Sequence, residues 1–127
     1  MNDKVIRITA RSMIAILFLL SGVSKLTAPA VAMSYMADHS IPPMLVWPTI
    51  AFEIGAALAL IGGFRLREVA FALAGFVLVA AAFFHRDIAD KVQLTMMLKN
   101  IAIAGGLILL AQSQSRIITT GKSEPSS

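Results

Sequence analysis

Residues 44–64, MLVWPTIAFEIGAALALIGGF, form an apolar run with one charged side chain, Glu53. At ~1.5 Å per residue, a helix of this length crosses the ~30 Å hydrocarbon core of a bilayer. A helix lying on a soluble core would need a polar face, and this stretch has none. Three further apolar segments accompany it: residues 5–26 around MIAILFLLSGVS, residues 69–85 (VAFALAGFVLVAAAFFH) and residues 94–111 (LTMMLKNIAIAGGLILLA). These are shorter or interrupted by polar residues, so their ends must snorkel or tuck into the protein. Composition agrees, with 57% hydrophobic and 14% charged residues, where soluble domains carry about a quarter charged. The expected fold is all-α, an integral membrane four-helix bundle.

The 127 residues suffice for one domain. It is expected over residues 1–115, with a polar, disordered cytoplasmic tail over 116–127. The chain has no cysteine, which excludes thiol catalysis, disulfides and Cys-ligated clusters. His39 and His85 are its two histidines, too few for a histidine metal site, so no metal is expected. The net charge of +4 does not point to nucleic acid, because the basic residues stand at the ends of apolar segments, where they set membrane orientation. The first segment has a rival reading as a cleaved signal peptide, with Lys4, Arg7 and Arg11 before the apolar run and APA at 28–30. Lys25 interrupts the approach to that cleavage site, and losing the segment would leave an odd number of spans, so retention is expected.

With four spans, the N-terminus, the 65–68 turn and the tail share one side of the membrane. That side holds seven basic residues (Lys4, Arg7, Arg11, Arg65, Arg67, Arg116, Lys122), against four on the other (Lys25, Arg86, Lys91, Lys99). The positive-inside rule therefore predicts both termini in the cytoplasm. The first external loop, residues 27–43, has room for a short surface helix (PAVAMSYMADHS) before the IPP break.

The polar residues of the spans converge under this topology. Ser21 and Lys25, spaced i and i+4, share one face at the outer end of the first helix. Glu53 enters the second helix to a depth of about 12 Å, and Lys99 the fourth to about 8 Å. His85 ends the third helix, and Asn100 follows Lys99. A charge at a helix centre costs roughly 2.5–3.5 kcal/mol on insertion scales. The expected arrangement is therefore an inward polar cluster of Lys25, Glu53, His85, Lys99 and Asn100 in the outer half, with Glu53 paired to Lys25 or Lys99. Two roles stay open for it: a working site, or glue that only sets helix register. Small residues recur at packing intervals. Gly55, Ala59 and Gly63 form one such run, Ala70 and Ala74 a second, and Ala102 with Gly106, beside Gly105, a third.

FLLSGVSKL, SIPP, AFEIGAALALIGGF, FFH and LKNIAIAGGLILL resemble, in order and spacing, the DoxX family of small bacterial membrane proteins. The resemblance spans about residues 7–111. It implies a four-helix protein of the bacterial cytoplasmic (inner) membrane, with family positions at Gly22, Lys25, Glu53, Gly55, His85, Lys99 and Asn100, of which Gly22 and Gly55 are expected at helix-packing faces. The family takes its name from a subunit of a thiosulfate:quinone oxidoreductase, and other members are associated with sulfur-handling or oxidative-stress complexes. The implied function is a membrane subunit or accessory anchor of such a redox system, without enzyme activity alone. No cofactor is expected within the chain, though a quinone could bind at the cluster. Implied partners are the lipid bilayer, a redox enzyme or a second copy of the chain. A proton-coupled carrier using Glu53 and a purely structural or assembly protein are the alternatives.

Overall fold

A computed structural model describes residues 2–84 and 89–123, with side chains described through residue 114. Among the described residues the chain is helical and has no strand. The helices are α1 (Asp3–Thr27), α2 (Pro29–Asp38), α3 (Val46–Gly62), α4 (Leu66–Phe84) and α5 (Lys91–Ser123), and a 3-10 turn at Pro43–Leu45 leads into α3. Among the described residues, four helical stretches are long and apolar enough to cross a membrane: Asp3–Thr27, Pro43–Gly62, Leu66–Phe84 and Lys91–Gln114. α2, at 10 residues, is too short to do so, and it stands where the surface helix was expected. The backbone of α5 runs on to Ser123, into the polar segment assigned above to the tail. The chain divides into two compact units, Met1–Phe64 and Arg65–Ser127.

In the first unit α1 packs along α3, and α2 touches both. α1 starts at Asn2, whose side chain accepts a hydrogen bond from the Lys4 amide at 2.8 Å, satisfying one of the orphan donors of the first turn. It stops before Pro29, which opens α2 where a missing amide donor costs nothing. α2 ends in a Schellman turn. The Ile41 amide bonds to the Met36 carbonyl and the Ser40 amide to that of Ala37, with Ser40 left-handed at φ 60. α3 ends the same way at Gly63, φ 80, with the Phe64 amide returning to the Ala59 carbonyl at 2.9 Å.

The core of this unit is a seam of alternating three- and four-residue steps, the spacing that keeps one face of a helix against its neighbour. On α3 the buried positions include Val46, Ile50, Glu53, Ala57 and Leu60. On α1 they are Ala15, Phe18 and Gly22. Glu53 thus stands in the middle of an otherwise apolar stripe.

The second unit is the pair α4 and α5. α4 buries Leu66, Ala70, Leu73, Ala74, Val77 and Ala81, and α5 buries Ala104, Leu107 and Ala111. Alanine supplies half of these α4 positions and two of the three on α5, which lets the backbones approach closely. Asn100 on α5 donates through Nδ2 to the Val77 carbonyl of α4 at 3.3 Å. That carbonyl has a second lone pair to offer beside its helical bond.

Candidate functional site

Glu53 is the single buried charged residue among those described, at 2% exposure. Its Oε1 accepts from Lys25 Nζ at 2.7 Å, and the Lys25 side chain is 26% exposed. The same Nζ donates to Ser21 Oγ at 2.7 Å. Ser21 and Lys25 lie one turn apart on α1, so the lysine folds back over its own helix and across to α3. An ammonium carries three donors. Two are committed to Glu53 and Ser21, and the lysine's partial exposure opens the site to whatever borders the protein there. The distances are those of a charge-assisted hydrogen bond.

Gly22, between Ser21 and Lys25 in sequence, makes this reach feasible. A Cβ built on it would fall 2.6 Å from Ile54 Cγ1 and 3.4 Å from Glu53 Cβ. No side chain fits there, so α3 comes within van der Waals contact of the α1 backbone beside Glu53. At the other end of the seam Arg11 lies against the end of α3. Its Nη1 would be 3.2 Å from a Cβ on Gly63, and its Nε is buried without a hydrogen-bond partner. A guanidinium at the carboxyl end of a helix meets the negative end of the helix dipole.

The expected cluster members fall in three groups. Lys25 and Glu53 are brought together, with Ser21 as a third member. Lys99 and Asn100 belong to the second unit: Asn100 bonds to Val77 as described, and Lys99 is exposed. His85 lies outside the described residues. Of the small residues expected at packing faces, Gly22 is crowded and Gly63 serves as a helix terminus. Gly55, Gly105 and Gly106 are open, with nothing within 4 Å of a Cβ built at any of them. Ala59 is half-buried and Ala102 exposed. Ile54 escaped the sequence reading, and Arg11 enters there only as a charge that sets orientation. Arg11 could have been found from its place four residues before Ala15 on the seam. Ile54 had no signal, because its role depends on the offset between two helices. Among the described residues, no group of three His, Cys, Asp or Glu side chains could hold a metal ion.

The DoxX family profile matches residues 6–86 of the chain. Inner membrane protein YqjF of Escherichia coli is 38% identical over 104 residues, covering 82% of this chain and 80% of that protein. No solved structure matches. The family match takes in Ser21, Gly22, Lys25 and Glu53, and the similarity to YqjF extends over four fifths of both chains. The chain belongs to the DoxX family, as a multi-pass protein of the inner membrane.

Proposed function

We propose that the protein is a membrane subunit or anchor supporting a quinone-linked redox enzyme, with the Ser21–Lys25–Glu53 group as its working site. Both termini face the cytoplasm in this reading, which puts the group in the outer half of the membrane. The observation that carries it is the ion pair itself: Glu53 is 2% exposed while its partner Lys25 is 26% exposed. A charge held at membrane depth marks function more often than architecture. Here the carboxylate is sealed inside and the ammonium stands at the boundary, holding a donor for an incoming carbonyl oxygen. A quinone presents such an oxygen, and its reduction develops negative charge there, which a lysine stabilises. The carboxylate keeps the ammonium oriented. The sulfur-handling and oxidative-stress associations of the family suggest the kind of enzyme served.

The test is purification in mild detergent with mass spectrometry of all retained proteins and lipid-soluble molecules. It is run on the wild type, Glu53→Gln and Lys25→Arg. A quinone or an oxidoreductase retained in stoichiometric amount by the wild type and Lys25→Arg, and lost from Glu53→Gln, supports the proposal. A chain that purifies alone in all three forms makes the pair a structural clasp and ends the redox reading.

A further inference from the structure

We propose that the Lys91–Thr95–Lys99 face of α5 is a binding site for the phosphate of an anionic phospholipid. This inference concerns the second unit alone and stands or falls independently of the redox reading.

Lys91, Val92, Thr95, Met96 and Lys99 line a shallow groove of about 310 Å³ along α5. Their spacing of i, i+1, i+4, i+5 and i+8 puts them on one face of the helix. All five are exposed. Lys99 stands two turns inside an apolar span, where a bare ammonium is costly. Yet within its own unit no described carboxylate pairs with it. Asp90, the nearest acidic residue in sequence, caps α5 by accepting from the Val92 amide at 2.9 Å.

Helix geometry gives Lys99 a direction. The Cα–Cβ bonds of a helix tilt toward its N-terminus, so the Lys99 stem leads back toward Thr95 and Lys91, the end of the span nearest water. Long lysine stems snorkel in this manner. The Lys99 ammonium can therefore reach the level of Thr95, while the Lys91 stem, tilted the same way, carries its ammonium toward water; with Cα atoms about 12 Å apart, the two cations line one strip of the face. The Thr95 hydroxyl already donates to the Lys91 carbonyl at 2.8 Å, so it keeps out of the way and supplies no donor. What the groove offers is two cations at the head and Val92 and Met96, 64% and 41% exposed, along the wall.

That combination selects the occupant. A free phosphate would satisfy the lysines and leave the apolar wall bare. A second copy of this chain meeting the face symmetrically would set lysine against lysine. A phospholipid with a net negative headgroup satisfies both, its phosphate on the ammonium groups beside Val92 and its acyl chain running inward past Met96.

The experiment is native mass spectrometry of the full chain released from nanodiscs containing equal phosphatidylglycerol and phosphatidylcholine with matched acyl chains. The expected result is preferential retention of phosphatidylglycerol by the wild type. Lys91→Gln and Lys99→Gln should each lower it about fivefold and the double variant roughly twenty-five-fold, the value of basic residues near an anionic surface. Lys91→Arg with Lys99→Arg should keep it. Should the glutamine variants fail to fold, a salt titration of the wild type serves instead, and the preference must fall as ionic strength rises. Equal retention of the two lipids by the wild type, unchanged preference in the double glutamine variant, or indifference to salt would overturn the site. Displacement of phosphatidylglycerol by added inorganic phosphate would make it a free-anion site and overturn the lipid assignment. A switch from dimer to monomer in the glutamine variants with lipid retention unchanged would assign the face to a second copy, also against the proposal.

Discussion

Glu53 and Gly63 stand ten residues apart on the same helix and place opposite demands on their surroundings. Glu53 needs a partner because its carboxylate sits in an apolar stripe at 2% exposure. Gly63 needs the absence of a side chain twice over. Its φ of +80 is left-handed, and a Cβ there would crowd the Arg11 guanidinium at 3.2 Å. Gly63→Ala is therefore expected to lower stability in detergent by about 1–2 kcal/mol, the cost of left-handed backbone for an L-residue. Thermal unfolding of the purified variant checks this. An unchanged midpoint would mean that the α3 terminus relaxes without strain. Part of this was legible from residues alone: an acidic side chain at membrane depth demands a partner whatever the fold. The identity of that partner was not. By residue count Lys99 lies about 8 Å deep and Lys25 at the outer end of its helix, but both can reach inward, and nothing in the chain's pattern says which of the two helices packs beside Glu53. The structure joins Glu53 to Lys25 at 2.7 Å.

Between helices the deciding contact is Gly22 against Ile54. α1 and α3 can bring Lys25 to Glu53 because a glycine lets the Ile54 side chain into the space a methyl group would fill, 2.6 Å from its Cγ1. Gly22→Ala should force the helices apart and cost about 1–3 kcal/mol, as other overpacked interiors do. Adding Ile54→Ala removes the clashing Cγ1 and should recover part of the loss. Unfolding midpoints of the two single variants and the double measure this coupling, and strict additivity would mean that the two residues do not meet. Periodicity announced the helices well, since a run of apolar residues broken by one glutamate has few other ways to fold. It announced their packed faces poorly. Gly55, Ala59 and Gly63 repeat at an interval suited to close packing, yet Gly55 is open, while Gly22, in no such repeat, is the crowded position. Which small residue matters depends on the offset between two helices, and one helix's spacing carries no record of that offset.

At the scale of the whole molecule, the chain is a four-span inner-membrane protein whose basic residues are weighted toward the side that carries both termini in a four-span topology. The absence of cysteine makes the orientation directly measurable. Single cysteines replacing Ser127 and Ala37 would be labelled in intact cells by a membrane-impermeant maleimide only at position 37 if both termini are cytoplasmic. Labelling at 127 but not at 37 would invert the topology and move the Lys25–Glu53 group to the inner half. The number of spans was readable because bilayer thickness sets helix length. The division into two compact helix units was not, because it depends on which helices bury their faces together.

The central claim is that Lys25 and Glu53 act as one unit, and a double-mutant cycle tests it most directly. Lys25→Gln, Glu53→Gln and the double variant would be compared with the wild type by thermal unfolding in one detergent. Removing one partner of a buried pair costs roughly 3–5 kcal/mol. Because Lys25 is 26% exposed, screening should reduce the coupling to about 2 kcal/mol. The account predicts that each single variant is destabilised and that the double loses clearly less than their sum. Additive losses would contradict it, for they would mean that the glutamate and the lysine stand in the membrane for separate reasons.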